Sequence, residues 1–425
     1  MAKDPATTED SDWVNVPAVD GRSDHAWLRE PRLPDLRGVI SPSGLENIAT
    51  HEYVPGSYTW LDNKLNPLWT SLTDMLPLWL APNAVTTFGG MHCLFSYLVL
   101  WRHSPQFDSA VPDWTLYLAG YCTVAYYTLD CMDGKQARRT GQSSPLGQLF
   151  DHGFDCICVV AHLAAASTFL ACGRTGLFFV LQGVLQFSFF MAQWEEYYTG
   201  VLPHCAGNFG VTEVNYGIGA LVALNGLIDR GGFWGGKVLA VYLAPLASTM
   251  ERAFGPLLAS ATVGEAAILG NCAAMLVLIV LSYGRVSAHL GTDRGARLSA
   301  VSNLLSPLLL ALCPFLLPRA SIEADTRAIS VATALLFSHI TNKMITYSMA
   351  KMTYASLQPD VLLYVAACLW IRLDGRLTPE GGRLVVQAMC AWHAVRLLSW
   401  AGRAIHQICG RLDIWCLRIK HPKQA

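Results

Sequence analysis

Ten apolar stretches run through the chain, near residues 86–101, 114–131, 149–172, 177–198, 214–230, 264–284, 299–317, 327–349, 359–372 and 384–408. Most approach the ~20 residues that a helix needs to cross a bilayer. Two are shorter, so the pattern predicts about ten transmembrane helices. Ahead of them, residues 44–80 alternate apolar and polar positions and carry many aromatics (Tyr53, Tyr58, Trp60, Trp69, Trp79). That reads as amphipathic helix lying in the membrane interface, with a small soluble subdomain as the competing reading. The predicted fold is therefore all-α, a polytopic integral membrane protein with an N-terminal interfacial segment. Residues 1–43 read as a polar, largely irregular tail, and residues 411–425 as a second tail. The opening MAKDPATTEDSDW has no basic stretch followed by an apolar one, so no cleavable signal peptide is expected.

Composition supports the membrane reading. Of 425 residues, 52% are hydrophobic and only 14% charged, against roughly 25% charged in soluble domains; mean hydropathy is +0.33. A net charge of −1 with no basic domain gives no footprint for nucleic acid. The 13 cysteines lie mostly inside apolar runs without zinc-site spacing and read as buried thiols. Basic residues cluster after the second span (Lys135, Arg138, Arg139), around the sixth-to-seventh connection (Arg285, Arg294, Arg297) and after the last span (Arg411, Arg418, Lys420, Lys423). The positive-inside rule puts these on the cytosolic side, and an even helix number then puts both termini there. Arg372, Arg376 and Arg383 run against the bias.

The candidate chemistry is concentrated in DCMDGKQARRTGQSSPLGQLFDHGFD, residues 130–155. Asp130 and Asp133, at i and i+3, share a face where the second span closes. Asp151 and Asp155, at i and i+4, share a face where the third opens. RRTGQSSP between them carries the Gly and Pro that end one helix and start the next. The helices are then antiparallel neighbours and the four carboxylates converge. A single Asp at the bilayer centre costs ~2.5–3.5 kcal/mol on insertion scales, and four together repel one another. Divalent cations would offset that charge. An all-oxygen site suits Mg²⁺ or Mn²⁺, and four carboxylates could hold two ions, the arrangement used in phosphoryl transfer. Gly134, Ala137 and Gly147 fall on the same faces, where small residues admit close approach.

The pattern Asp130-x-x-Asp133-Gly134-x-x-Ala137-Arg138, eight residues, Gly147-x-x-x-Asp151-x-x-x-Asp155 resembles the signature of the CDP-alcohol phosphotransferases. LAPNAVTTFGG (80–90), SSPLGQLFDHG (143–153), WEEYYTG (194–200), GVTEVN (210–215), GFW (232–234) and TNKMITYSMAK (341–351) are similar to the eukaryotic choline- and ethanolaminephosphotransferase branch. The resemblance covers roughly residues 44–410. It implies a catalytic helix core over residues 81–285, C-terminal helices over 286–410 that serve dimerisation, and a homodimer. It further implies transfer of phosphoethanolamine or phosphocholine from CDP-ethanolamine or CDP-choline to diacylglycerol, with CMP released, in the endoplasmic reticulum or Golgi membrane with the site facing the cytosol. Within the family, an inositol- or glycerophosphate-accepting enzyme is the alternative. From another class, intramembrane acids alone would also suit a metal-dependent transporter.

Each candidate residue then has an expected role. Asp130, Asp133, Asp151 and Asp155 bind the ions. Gly134, Ala137, Arg138 and Gly147 face the nucleotide. Asn83 hydrogen-bonds ligand, or serves only as a helix N-cap. The acceptor hydroxyl must lose a proton, and His152 is the leading base because histidine as a residue type titrates near neutrality; Asp155 is the other candidate. Gln148, four residues from His152, is placed to orient its ring. The resemblance implies Glu at that position, so Glu196 or Glu213 is a possible substitute carboxylate. Trp194, Glu195, Tyr197 and Tyr198 are candidates for the cationic headgroup, with an interfacial aromatic belt as the competing reading.

Overall fold

In the absence of water a chain crosses lipid only if each backbone N–H and C=O is satisfied within the segment, which makes helices the rule here. The computed structural model describes residues 38–54, 56–108, 111–203, 205–207, 209–238, 252 and 261–420. Most of the expected N-terminal tail (1–37) and the end of the C-terminal tail, including Lys423, lie outside the described residues.

The helices run in the order α1 (Pro42–Ala49), α2 (Trp60–Asp74), α3 (Pro82–His103), α4 (Asp113–Thr140), α5 (Pro145–Leu170), α6 (Gly176–Thr199), α7 (Val211–Leu224), α8 (Arg230–Gly235), α9 (Val263–His289), α10 (Arg294–Ser302), α11 (Leu305–Leu312), α12 (Arg319–Ala350), α13 (Pro359–Leu373) and α14 (Pro379–Leu412). A two-residue antiparallel pairing, Cys205–Ala206 with Phe209–Gly210, interrupts them between α6 and α7. Among the described residues, seven segments are long and apolar enough to cross a membrane: α3, α5, α6, α9, the run Arg294–Leu316, α12 and α14. The other three predicted spans fall on α4, which is 28 residues long but carries the acids, and on α7 and α13. At 14 and 15 residues, the last two are shorter than a straight crossing requires. The predicted span 299–317 is not one continuous helix. It divides into α10, α11 and a 3₁₀ turn, Cys313–Leu316, where Pro307 and Pro314 remove backbone donors.

The 44–80 segment forms two helices joined by a strap without regular secondary structure at residues 51–54 and 56–59. Tyr58, Trp60 and Trp79 are exposed, as an interfacial position requires. Trp69 departs from that reading. It is buried, and its Nε1 donates to the Tyr216 hydroxyl at 3.0 Å, because α2 lies against α4 and α7.

The site depends on a small set of packings. α3 lies along both α4 and α5, α7 packs on α4, and α12 packs on α5, α6 and α14. A Cβ at Gly120 would sit 2.5 Å from the Gly219 carbonyl, so glycine is what lets α4 and α7 approach. Near the acidic end, Ile40, Ile48, Leu146, Leu149, Ile345, Met349, Trp400, Ala404 and Ile408 form one buried cluster that ties α1, α5, α12 and α14 together. Arg139, beside the acids in sequence, donates to the carbonyls of Thr73, Asp74 and Leu76, where basic side chains commonly cap a helix C-terminus.

Candidate active site

The RRTGQSSP turn does what its residues dictate. Gly141 ends α4 in the left-handed region at φ 68°, a conformation that glycine adopts without strain. Ser144 caps α5, its hydroxyl accepting from the Gly147 amide, and Pro145 occupies the first helical position. α4 thus presents Asp130 and Asp133, and α5 returns Asp151 alongside them. Ligand atoms of these three acids all lie within 4.8 Å of one another.

Asp155 falls outside that group of three. Its carboxylate accepts a hydrogen bond from the Tyr126 hydroxyl, one turn deeper on α4. Asp133 is buried and accepts from Thr86 of α3. Asp130 Oδ1 and Asp151 Oδ1 are buried with no hydrogen-bond partner. Among the described residues no Lys or Arg pairs with any of the four; the closest basic group is His152 Nε2, 3.8 Å from Asp151 Oδ2 and beyond hydrogen-bond reach. Buried carboxylate oxygens without a partner are costly, and an all-oxygen set fits a hard divalent cation. Asp130, Asp133 and Asp151 therefore form a donor set that fits a metal ion.

The motif glycines border open space. A Cβ at Gly134 would meet nothing closer than Arg138 Nη1 at 3.6 Å, and one at Gly147 nothing closer than Asn83 Oδ1 at 3.9 Å. Packing glycines elsewhere behave differently: at Gly153 a Cβ would lie 2.6 Å from Asn342 Oδ1, and at Gly90 it would lie 2.4 Å from the Phe154 ring. Helix packing accounts for Gly90 and Gly153 but not for Gly134 and Gly147. Ala137 is half-buried and Arg138 is exposed beside Gly134. Asn83 is buried at the start of α3, where Ala81 is the N-cap, so the capping-only reading fails. The Asn83 Nδ2 donates to the Cys416 carbonyl at 3.0 Å.

His152 is buried next to the acids. Its Nδ1 has no partner, and the Tyr53 ring meets it edge-on at 5.8 Å. The expected Gln148–His152 contact is not formed. Instead, the Gln148 Oε1 accepts from His51 Nε2 at 2.8 Å and its Nε2 donates to Glu196 Oε1 at 2.7 Å. The interfacial strap and α6 each bring a polar group against that face of α5, and the amide bridges them. Of the two substitute carboxylates, Glu213 is engaged in capping α7 through the Gly210 amide at 2.9 Å, whereas Glu196 lies within electrostatic range of His152.

The headgroup reading of α6 is corrected by packing. Trp194 Nε1 donates to the Ala300 carbonyl, Tyr197 to the Met352 carbonyl, and Tyr198 accepts from Asn303. Glu195 is buried and held by Arg285 at 2.5 and 2.8 Å. These four side chains bind α6 to the elements that follow it. Sequence reasoning missed Thr86, Tyr126, His51 and Tyr53. Two of them carried a signal: Thr86 is three residues from Asn83, and Tyr126 four before Asp130, each on the face already singled out.

Comparison with known proteins agrees with this geometry. Residues 79–244 match the family model described as CDP-alcohol phosphatidyltransferase. Over 400 residues the chain is 29% identical to uncharacterized CDP-alcohol phosphatidyltransferase class-I family protein 3 of Dictyostelium discoideum, a match covering 90% of this chain and 98% of that protein. It is 40% identical over 168 residues to choline/ethanolaminephosphotransferase 2 of Arabidopsis thaliana, covering 39% of this chain and 42% of the relative. It is 31% identical over 269 residues to cholinephosphotransferase 1 of Rattus norvegicus, covering 63% and 62%. The chain thus aligns with less than two thirds of the length of either relative named for its headgroup. The family match spans the acids, both motif glycines, His152 and Glu196, so residues 79–244 carry a domain similar to the CDP-alcohol phosphatidyltransferases.

Proposed function

We propose that this protein transfers phosphoethanolamine, phosphocholine or both from the CDP-alcohol to diacylglycerol or an alkylacylglycerol, forming the phospholipid and releasing CMP. The observation that carries the reading is the convergence of Asp130, Asp133 and Asp151 beside two glycines that border open space, in a chain whose named relatives act with choline and ethanolamine. Residues 81–285 form the catalytic core in this proposal.

In the reaction the acceptor hydroxyl oxygen bonds to the phosphorus that carries the alcohol. The bond from that phosphorus to the CMP oxygen breaks, and the hydroxyl proton goes to a base. Asp130, Asp133 and Asp151, with Asp155 adjoining, would hold Mg²⁺ or Mn²⁺, two ions in our reading. Such ions supply positive charge against the pyrophosphate and the departing CMP. The remaining work belongs to the chain. Gly134 and Gly147 leave room for the nucleotide, and Arg138 stands beside Gly134 as a phosphate partner. His152 receives the proton at Nδ1, the buried nitrogen with no competing partner. Tyr126 fixes Asp155, which weakens its claim as the base. We further place the site on the cytosolic face of the endoplasmic reticulum or Golgi membrane, in a homodimer.

The test is direct. Purified protein with Mg²⁺, diacylglycerol and either CDP-ethanolamine or CDP-choline should yield CMP and phospholipid in equal amounts. Activity only with a soluble acceptor such as inositol, or cation uptake into sealed vesicles without CMP release, would overturn the reading.

A further inference from the structure

With the α6 aromatics engaged elsewhere, Glu196 is an acidic group within electrostatic range of His152 that the reaction scheme does not use. Glu196 is 4% exposed. Gln148 holds its Oε1, and Gln148 is itself held by His51, so the carboxylate is fixed from the interfacial strap. Its Oε2 is buried and has no hydrogen-bond partner, and among the described residues no Lys or Arg pairs with it. A buried carboxylate oxygen left this way is strongly disfavoured unless a cation reaches it. Tyr53, from the same strap, lies within electrostatic range of Glu196, Asp151 and Asp155, and its ring packs on His152. An aromatic ring and an uncompensated carboxylate, side by side, are the groups that recognise an ammonium.

The geometry points to Glu196 and Tyr53 as the residues that take the cationic headgroup of the CDP-alcohol, an inference that rests on the function proposed above. Glu196 supplies the counter-charge and Tyr53 a ring face; Gln148 and His51 are positioning residues. The arrangement explains why adjacent glutamates differ. Successive residues on a helix point ~100° apart. Arg285 neutralises Glu195, whereas Glu196 stays available next to the acids.

The competing role for Glu196 is to steady a protonated His152. Equilibrium binding separates the two, because it reads headgroup recognition without turnover. Full-length protein in nanodiscs with Mg²⁺ is titrated with CDP-choline, CDP-ethanolamine, the neutral-headgroup CDP-glycerol, and CDP. A charge-assisted contact is worth ~1.5–3 kcal/mol, so Glu196→Gln should reduce the preference for cationic donors over CDP-glycerol by about 10–100-fold while CDP affinity stays at wild type. Tyr53→Leu should reduce it by about 3–30-fold, and Tyr53→Phe should restore it. Wild-type preference in Glu196→Gln, with only kcat reduced, would overturn the inference and assign Glu196 to His152. If Glu196→Gln no longer holds CDP, Glu196→Asp and Tyr53→Leu decide by the same ratio: reduced preference with intact CDP binding supports the inference, and wild-type preference in both overturns it. A wild-type protein that does not distinguish cationic donors from CDP-glycerol would instead refute the proposed function.

Discussion

Replacing Gly134 by alanine separates a glycine kept for ligand from one kept for packing. Gly134 lies within α4, six residues before its end, so its backbone is helical and alanine is conformationally welcome. Glycine in a helix interior is ~0.8–1.0 kcal/mol worse than alanine. The added methyl would meet only the flexible tip of Arg138, at 3.6 Å, an ordinary contact. The substitution should leave the unfolding midpoint unchanged or raise it, by up to ~1 kcal/mol in stability. Activity should move the other way. The methyl would occupy space assigned to the nucleotide, and displacement of a bound substrate by ~1 Å can cost ~10²-fold in rate. Gly147→Ala, with 3.9 Å to Asn83, should behave alike, whereas Gly120→Ala is the packing control. Its Cβ would be 2.5 Å from a backbone oxygen, so it should lose stability, by ~1–3 kcal/mol. The assay pairs unfolding in detergent with kcat/KM for CMP release. Wild-type kcat/KM in both Gly134→Ala and Gly147→Ala, or a loss of stability matching that of Gly120→Ala, would refute the reasoning.

Asp133→Asn and Asp151→Asn should each lower kcat by ~10²–10⁴-fold, several kcal/mol of lost charge stabilisation, and EDTA should abolish turnover until Mg²⁺ or Mn²⁺ is restored; near-normal rates in either variant would end the metal assignment. His152→Ala should lower kcat by ~10²–10⁴-fold with CDP binding retained, and an unchanged kcat would return Asp155 to first place as base. Arg285→Ala removes the partner of the buried Glu195 and should destabilise by ~1–3 kcal/mol, measured by thermal unfolding; no change would mean that Glu195 finds another donor. In a thiol-depleted background, a cysteine at the exposed Ser143 should label from outside sealed microsomes while one at the exposed Arg376 stays protected; the reverse pattern would invert the proposed orientation.

Local rules were enough for the helical membrane architecture, the turn between α4 and α5, and the convergence of three of the four acids. Gly141 and Pro145 act on their own backbone, and i, i+3 spacing places two side chains on one face whatever surrounds them. Span count was less legible, because α7 and α13 are short and α4 carries charge; their place in a bilayer depends on the neighbours that cover them. The site assignments that failed concerned partners. Periodicity defines a face relative to the helix's own axis and says nothing of what packs there. Gln148 was placed one turn from His152, yet His51, 97 residues earlier, and Glu196, 48 residues later, bind it. Tyr126 holds Asp155 from 29 residues away, and Thr86 holds Asp133 from 47. Glu195 and Glu196 are indistinguishable as letters, and only the arrival of Arg285 on one side of α6 and Gln148 on the other gives them different work.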